Sequence, residues 1–330
     1  VRSGSNPSDY PSRCKRIPDP PSVPSSLTQE ILGSELNEYR TRHSNRDIWR
    51  KVKQQGSDQT VHEATTPADV PRPCSTDRKT AVRTAASEHP ASKKWTFREV
   101  FAGSAHLTKT FRERGVFNVL PPVELMKNGK VDPTQNILDD KVFAELCEAA
   151  SKPHQLWHFG FPCGSFSIMQ NMNKGTRSSD NPLGNNSLQR ERIGNEILRR
   201  TVHLCDLLSK HGSFFTMENP LSSFAWKIPF MLALSARWHC TAVTLDQCMF
   251  GLKIPDQSGN PGLAKKPTKF LGNMPNLDHM SRKCSHGHGH VAVLGGVKVG
   301  GKWHRRSTLA GSYPRALCLA YAKAFEQSFA

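Results

Sequence analysis

Short apolar segments alternate with amphipathic segments from Trp95 onward, and this alternation restricts the chain to a few folds. The strand-like segments are 96–101, 117–125, 154–161, 213–217 and 241–245. Helical periodicity is present at 107–114, 141–150 and 188–210, and in a last stretch that begins near Pro314. Strands that alternate with helices form a mainly parallel sheet covered on both faces. The sequence therefore predicts an α/β fold.

The first 94 residues differ from the rest in composition. They are rich in Ser, Pro, Thr and charged residues, with clusters such as Pro18-Asp19-Pro20-Pro21. Such a segment buries too little apolar surface to offset the entropy of ordering. We therefore expect a disordered arm at 1–94, with one helix around Glu30 to Gln55. A folded domain is expected at 95–272, followed at 273–330 by a small extension with a Cys/His segment, a hairpin at 290–303 turning at Gly295-Gly296, and a helix.

The chain is strongly basic. Its 45 Lys and Arg against 28 Asp and Glu give a formal charge of +17. The first 94 residues hold 16 of the former and 11 of the latter, which leaves +12 on residues 95–330. A basic surface favours a polyanionic partner such as DNA or RNA, because nucleic-acid affinity comes largely from neutralising phosphates. A merely soluble basic protein is the alternative.

Cysteine usage indicates the compartment. Nine Cys, an odd number without a repeated short spacing, argue for a reducing intracellular setting that is compatible with the nucleus. No apolar run reaches the roughly 18 residues of a membrane span, and no signal-peptide pattern is present. The first residue is Val1 instead of Met, which is compatible with a part of a longer polypeptide. We otherwise expect a monomer.

Three of the predicted strands end in residues that can carry chemistry. Cys163 follows Pro162 after the third strand, the turn Phe101-Ala102-Gly103-Ser104 follows the first, and Glu218-Asn219-Pro220 follows the fourth. Ligands of open α/β sheets bind at the carboxyl ends of the strands. We therefore expect these segments to meet at one crevice, although a single Cys more often packs as a small hydrophobe.

Each of these residue types suggests a role. Cys163 is a candidate nucleophile, and Glu218 can donate or accept a proton. Lys266 or Lys269 can stabilise an oxyanion or a thiolate by its charge. The alternatives are a turn acid for Glu218 and a solvated basic loop for the two lysines.

The turn after the first strand favours a bound nucleotide. Small residues allow the start of a helix to approach a ligand closely, and an acid at the end of the second strand, here Glu124, suits ribose hydroxyls. Plain packing is the alternative for both features.

In this order, these segments resemble the cytosine-C5 DNA methyltransferase family. The family has a Phe-x-Gly turn, a Pro-Cys-x-x-Phe-Ser loop, a Glu-Asn-Val strand end and a basic segment. Their counterparts here are Phe101-Ala102-Gly103, Pro162 to Ser167, Glu218-Asn219-Pro220 and Lys265 to Lys269, within residues 96–272. The chain departs from the family in lacking a second Gly after the turn, in Pro220, and in having Lys where Arg is expected. Its short layout is similar to methyltransferase-like segments of phage and mobile-element proteins.

The resemblance implies a Rossmann-like, S-adenosyl-L-methionine-dependent methyltransferase fold and methyl transfer to C5 of cytosine in DNA. Cys163 would add to C6 of a flipped cytosine while Glu218 engages N3, assisted by Lys266 and Lys269. The loop at 164–186 would close over the base. The cofactor is expected to contact the first turn and several later residues, namely Phe101, Ala102, Gly103, Ser104, Glu124, Pro162 and, at the adenine, Asn136 or Asp139. The nucleic acid is expected to contact Ser167, Lys174 and Arg177.

Two alternatives to this function stay open. A catalytically inactive member would bind nucleic acid as a module, and an RNA cytosine methyltransferase would share the same residues. Only about 60 residues follow the basic segment, which leaves little room for a domain that reads the target sequence.

The segment Cys284-Ser285-His286-Gly287-His288-Gly289-His290 is dense in metal-ligand residue types. With Cys248 or Cys240 it could bind zinc. The alternate spacing is not a standard zinc pattern, however, and no second Cys/His pair follows. We therefore expect structural or phosphate-facing histidines here and assign no metal site from the sequence.

Overall fold

The computed structural model describes residues 95–127 and 130–329. The arm at 1–94 and the helix around Glu30 to Gln55 lie outside these residues. The strands are β1 Thr96–Val100, β2 Asn118–Val119, β3 Met126–Lys127, β4 Lys130–Val131, β5 Gln155–Phe159, β6 Phe214–Pro220, β7 Thr241–Asp246, β8 Lys253–Pro255, β9 Pro261–Leu263, β10 Pro267–Gly272, β11 Gly296–Val299 and β12 Lys302–Arg305. The α-helices are α1 His106–Arg114, α2 Asp140–Ala150, α3 Gln189–Lys210, α4 Pro229–Arg237, α5 Arg306–Leu309 and α6 Arg315–Glu326.

Six of these strands form one sheet in the order β2-β1-β5-β6-β10-β7. The pairs β2–β1, β1–β5 and β5–β6 are parallel, and β10 is antiparallel to both of its neighbours. The remaining described strands form three two-stranded hairpins. The prediction of an α/β fold with a mainly parallel sheet is confirmed, and the sheet is mixed because of β10.

Helices cover both faces of the sheet. One buried cluster contains Val100, Phe159 and Met217 of the sheet together with apolar residues of α2, α3 and α4. A second cluster, on the other face, joins Phe97 and Leu156 to residues of α1 and α6. Neighbouring residues of a strand point to opposite faces, so β1, β5 and β10 each contribute to both clusters. Fully burying a side chain of this size contributes about 1.5–3 kcal/mol.

The last helix belongs to this core. Leu317, Tyr321 and Phe325 of α6 are buried beside Phe97 of β1, as the apolar spacing of the sequence predicts. An ion pair between Arg114 and Glu326 also links α1 to α6. The helix of the predicted extension at 273–330 therefore shares a core with the first β-turn-α unit.

Several element boundaries differ from the prediction. The second strand shortens to Asn118–Val119, with one further bridge between Val100 and Val123. Pro121 and Pro122 lie between them, and proline has no N–H for the ladder. The hairpin turns at Gly300 and Gly301, whose φ angles are 55° and 79°, instead of at Gly295-Gly296.

The strand β10 and the helix α4 were not predicted. Glycines and prolines interrupt residues 247–272, so the sequence predicts no strand there. Residues 267–272 nevertheless pair with β6 on one side and β7 on the other. This pairing also extends β6 through Glu218 and Asn219, which the sequence places just beyond the strand. In the part of the chain that the structure describes, no helix is long and apolar enough to span a membrane.

Candidate functional site

Cys163 lies in a turn directly after β5. It is half-buried and precedes a single 3-10 turn at Gly164–Phe166. Phe161 and Phe166 are buried on either side of it, with ring centroids 6.1 Å apart in an edge-on arrangement. These two rings anchor the turn, whereas Cys163 itself is only half-buried.

Glu218 lies in β6 and is buried. Its Oε2 accepts a hydrogen bond of 2.9 Å from the hydroxyl of Tyr313. Its Oε1 is also buried but has no hydrogen-bond partner among the described residues, and the nearest cation, Lys266 Nζ, is 3.9 Å away. Leaving a buried acceptor unpaired costs about 1–3 kcal/mol, so an unpaired carboxylate oxygen marks a position suited to an external donor.

A hydrogen bond joins the Cys163 turn to the end of β6. Asn219 Nδ2 donates to the carbonyl oxygen of Phe161 over 2.9 Å. The parallel pairing of β5 with β6 ends at Phe159 opposite Met217. The residue after Glu218 is thus bonded to a residue two positions before Cys163, and the two predicted residues lie at the same edge of the sheet, as expected.

The two candidate lysines flank the end of β6 from the other side. Lys269 pairs with Asn219 across β10 and β6, and its Nζ lies 4.9 Å from the ring centroid of Trp226. Burial lowers the pKa of Lys269. Lys266 immediately precedes β10 and is largely covered. Lys269 therefore belongs to the sheet, and Lys266 lies just before it with a largely covered side chain, so neither is part of a solvated loop.

A buried chain of hydrogen bonds lies behind Glu218. His158 Nε2 is 3.1 Å from the Tyr313 hydroxyl, His158 Nδ1 is 2.8 Å from Thr216 Oγ1, and Thr216 Oγ1 is 2.6 Å from the Tyr321 hydroxyl. Burial lowers the pKa of His158 to about 3, so this imidazole is neutral. Burial, followed by the charge of Glu218, raises the pKa of Tyr313, which keeps this phenol protonated.

The protons that each group carries fix the direction of these hydrogen bonds. Because the one hydroxyl proton of Tyr313 is donated to Glu218, the Tyr313 oxygen must accept from His158 Nε2–H. His158 Nδ1 then accepts from Thr216, whose oxygen accepts from Tyr321. Gly160 permits the approach of Tyr313, since a Cβ at this position would lie 3.0 Å from its hydroxyl oxygen. Every donor points toward Glu218.

The turn between β1 and α1 has an unusual backbone. Phe101, Gly103 and Ala105 all have positive φ angles, of 58°, 52° and 52°. Glu124 holds this turn, because its Oε2 accepts from Gly103 N at 2.5 Å and its Oε1 from Met126 N at 3.1 Å. A Cβ at Gly103 would meet nothing within 4 Å, so there is open space beside the turn. Such strained, non-glycine backbone is found mainly at functional sites.

A second acid, Glu99 of β1, accepts hydrogen bonds from the start of the helix that follows this turn. Its Oε2 accepts from the backbone N and the hydroxyl of Thr108, both at 2.7 Å, in the first turn of α1. Ala105, at the N-cap position, offers no side-chain cap, and Glu99 takes over that role. Burial raises the pKa of Glu99 to about 7. The sequence reading missed this residue, because it looks like the polar member of an alternating strand.

The residues predicted to hold adenine are engaged in local structure. Asp139 caps α2, since its Oδ1 accepts from Lys141 N at 3.0 Å and from Val142 N at 3.1 Å. Asn136 Oδ1 accepts from Leu138 N at 3.1 Å. One oxygen of each side chain is therefore used by the local backbone, and a role at adenine stays a prediction.

Arg177, predicted to contact nucleic acid, is instead a structural residue, and that prediction is wrong. It is 2% exposed, and its guanidinium donates to Ser165 O, Pro182 O, Glu191 O and Asn195 Oδ1 at 2.7–3.0 Å. It also stacks over Phe166, 4.2 Å from the ring centroid. Arg177 therefore fixes the base of the 164–186 loop.

The other two loop residues have accessible positions. Lys174 is exposed and has a φ of 60°. Ser167 caps the 3-10 helix Ile168–Asn173 by accepting from Met169 N at 3.2 Å. Ile168 and Met169 are exposed apolar residues. Contact of this tip with nucleic acid stays a prediction.

Comparison of the sequence with models of protein families and with curated proteins found no match for either.

Proposed function

We propose that this protein transfers a methyl group from S-adenosyl-L-methionine to C5 of cytosine in DNA, through a covalent adduct at Cys163. One observation carries the proposal. The unpaired Oε1 of Glu218 lies at the strand end to which the Cys163 turn is hydrogen-bonded through Asn219. A nucleophile and an acid at one edge of a parallel sheet are what addition to a pyrimidine ring requires.

The reaction needs both residues because C5 of cytosine is a poor nucleophile while the ring is aromatic. The Cys163 thiolate forms a bond to C6, and the electron density displaced into the ring is neutralised by a proton shared between Glu218 Oε1 and N3. When bound, S-adenosyl-L-methionine would supply the electrophilic methyl group that C5 accepts, and it would leave as S-adenosyl-L-homocysteine. Removal of the C5 proton by a base then lets the sulfur–C6 bond break, and N3 returns its proton to Glu218, which restores the ring, the acid and the thiolate.

The chain's own residues suit these roles. Tyr313 donates to Oε2 and so fixes the rotation of the Glu218 carboxyl group, leaving Oε1 for the base. The positive charge of Lys266, 3.9 Å from Oε1, stabilises the carboxylate that remains after proton transfer. Since Oε1 is covered in this conformation, a side chain must move before a base can enter.

The residues around the first turn fit a nucleoside-bearing methyl donor. The open space beside Gly103 and the backbone turn held by Glu124 leave room for a ligand next to the start of α1. Both Glu124 oxygens accept from backbone N–H groups, and each retains a lone pair that a ribose hydroxyl can use.

The loop at 164–186 is the expected contact with DNA. A cytosine must leave the base stack before its C6 can be attacked. Arg177 fixes the base of the loop, while Ile168, Met169 and Lys174 at its tip are exposed. The apolar side chains of Ile168 and Met169 would fill the space that a flipped base leaves in the stack, and Lys174 would contact an adjacent phosphate.

Trapping of the adduct tests the proposal. A duplex oligonucleotide containing 5-fluorocytosine blocks the final elimination, because fluorine replaces the C5 proton. We expect a denaturant-stable protein–DNA adduct that requires S-adenosyl-L-methionine, is absent in Cys163→Ala, and persists in Cys147→Ala, a matched change at another half-buried cysteine.

Three outcomes distinguish the alternatives. An adduct in Cys163→Ala at the wild-type level would remove the mechanism. Salt-sensitive binding of DNA without any adduct would favour the inactive binding module. An adduct formed only with a 5-fluorocytosine RNA would favour an RNA cytosine methyltransferase.

A further inference from the structure

Four potential metal ligands converge beside the end of β7, and none of them is a residue of the Glu218–Cys163 site. One ligand atom from each of Cys248, Cys284, His288 and His290 lies within 4.8 Å of all the others. Both cysteines are buried and both histidines are half-buried. We infer that these four residues bind one zinc ion in a closed, structural site. The inference does not depend on the proposed methyl transfer.

The spacing of the ligand atoms suits zinc. Cys284 Sγ is 3.4 Å from His290 Nε2 and 3.6 Å from His288 Nε2. Zinc–sulfur bonds of about 2.3 Å and zinc–nitrogen bonds of about 2.0–2.1 Å at a tetrahedral angle give a sulfur–nitrogen separation of about 3.6 Å. Two thiolates and two imidazoles complete four-coordination and leave no position for water, which is the arrangement of a structural zinc site.

The chain brings the ligands together through Asp246, the last residue of β7. Asp246 Oδ2 accepts from Cys284 N at 2.9 Å, and Asp246 N donates to Arg282 O at 2.9 Å. Cys248 follows two residues later in the 3-10 helix Gln247–Phe250. The sequence left Cys248 and Cys240 as alternative partners of Cys284, because Cys248 lies 36 positions before Cys284 and only the fold brings these two together.

The structure also selects among the three histidines of the segment. His286 is exposed and its Nε2 lies 2.8 Å from Lys265 Nζ, outside the cluster. Its backbone N–H instead donates to Cys284 Sγ over 3.3 Å. An N–H that donates to a ligating sulfur stabilises the thiolate form, as outer-shell hydrogen bonds of metal sites do. His288 and His290, two residues apart, both reach the sulfur.

A metal would explain how this segment keeps its shape. Residues 281–295, all of them described, contain no helix or strand, and their sequence is rich in Gly and polar residues. Segments without a core of their own are commonly fixed by a metal or a disulfide. A bound zinc ion ties this segment to β7 and positions the hairpin β11–β12 that follows it.

Metal analysis of the full chain, purified without a polyhistidine tag, tests the inference. We expect one zinc ion per chain by elemental mass spectrometry. After removal of zinc with a chelator, Co²⁺ alone should restore the site and produce the intense visible d–d bands and the thiolate charge-transfer band of tetrahedral Cys2His2 coordination. This spectrum is read on the wild-type protein, so it does not rely on a variant that fails to fold.

Paired variants identify the ligands. His290→Ala and Cys284→Ser should lose most of the zinc, whereas His286→Ala, a change two or four residues away, should retain one equivalent. Equal loss in His286→Ala and His290→Ala would overturn the assignment. A folded wild-type protein that binds neither zinc nor Co²⁺ would also overturn it. The same holds if Cys248 and Cys284 form a disulfide under reducing conditions and no metal is bound.

Discussion

At the scale of single residues, the hydrogen bonds of Glu218 separate its two oxygens into different environments. Oε2 ends a one-way chain of donors that starts at Tyr321 and passes through Thr216, His158 and Tyr313. Oε1 has no such partner among the described residues. A carboxyl group held at one oxygen and free at the other has a fixed orientation and one chemically available atom.

This asymmetry predicts graded losses of activity. Glu218→Gln should lower turnover by about 100-fold or more, because the proton at N3 is lost. Tyr313→Phe should lower it by about 10-fold, because only one hydrogen bond to Glu218 is lost. The affinity for S-adenosyl-L-methionine should change little in either variant. Methyl incorporation into DNA and equilibrium binding of the cofactor measure the two quantities.

The conservative variant Tyr321→Phe serves as the control, since its hydroxyl lies at the far end of the chain. Full activity in Tyr313→Phe would contradict the positioning role. Equal losses of turnover and cofactor affinity in Glu218→Gln would place that residue at the cofactor instead of the base.

Sequence reasoning identified the two ends of the site but not its support. Cys163 and Glu218 follow strand-like runs, so their position at one sheet edge could be predicted. Tyr313 is 95 residues from Glu218, and no local pattern marks a tyrosine that reaches back across the sheet. Arg177 was misread because a basic residue in a polar loop has the same pattern whether it faces phosphates or backbone carbonyls.

At the scale of elements, the 164–186 loop is a built structure anchored at its base. Arg177 gathers carbonyl groups from both sides of the loop and from α3, and it covers Phe166. Gly194 of α3 lets the loop pack closely, since a Cβ there would lie 2.1 Å from Ser165 Oγ. Lysine cannot reproduce this set of contacts, because it lacks the planar fork of five donors.

Arg177→Lys should therefore destabilise the protein by about 2–4 kcal/mol, since buried acceptors lose their partners. The loop should also become more sensitive to proteolysis. Arg192→Lys, on an exposed position of α3, is the matched control and should change stability little. Urea unfolding and limited proteolysis measure both effects. A variant with unchanged stability and a reduced salt dependence of DNA binding would instead restore the phosphate-contact role.

Helices and strands whose apolar residues recur at a regular spacing could be predicted from the sequence. A strand that forms only because its neighbouring strands pair with it could not. The helices α1, α2, α3 and α6 and the strands β1, β5 and β7 lie within one or two residues of the sequence prediction at most ends. The strand β10 has a Pro at its start, a Gly at its end and lysines around it, so no alternation marks it. Only the two neighbouring strands, whose ladders it completes, make it a strand.

At the scale of the whole molecule, a buried acid connects the sheet to the helix α1. Glu99 lies on β1, bonds to the start of α1, and titrates well above its ordinary range, with a pKa of about 7. The folded protein therefore keeps this proton at pH values where the unfolded chain releases it. Between pH 4.5 and about 7, this group makes the folded state less stable as pH rises.

Glu99→Gln removes this dependence. The difference in free energy of unfolding between Glu99→Gln and wild type should shift by about 3 kcal/mol in favour of the variant from about pH 4 to about pH 8. The opposite contribution of His158, whose pKa is lowered, is common to both proteins and cancels. Urea titrations across this range measure the difference, with Glu113→Gln as an exposed control. A pH-independent difference would show that Glu99 ionises normally.

The position of β10 has a consequence for the newly made polypeptide. Residues 214–220 and 241–246 leave the ribosome before residues 267–272, which are the strand that separates and joins them. Until residues 267–272 have been made, the backbone N–H and C=O groups of β6 and β7 that will face β10 have no partners. Such an unpaired strand edge readily pairs with a strand of a nearby molecule. Rapid overproduction at high temperature should therefore yield insoluble material, and slower translation of the stretch before residue 267 would worsen it.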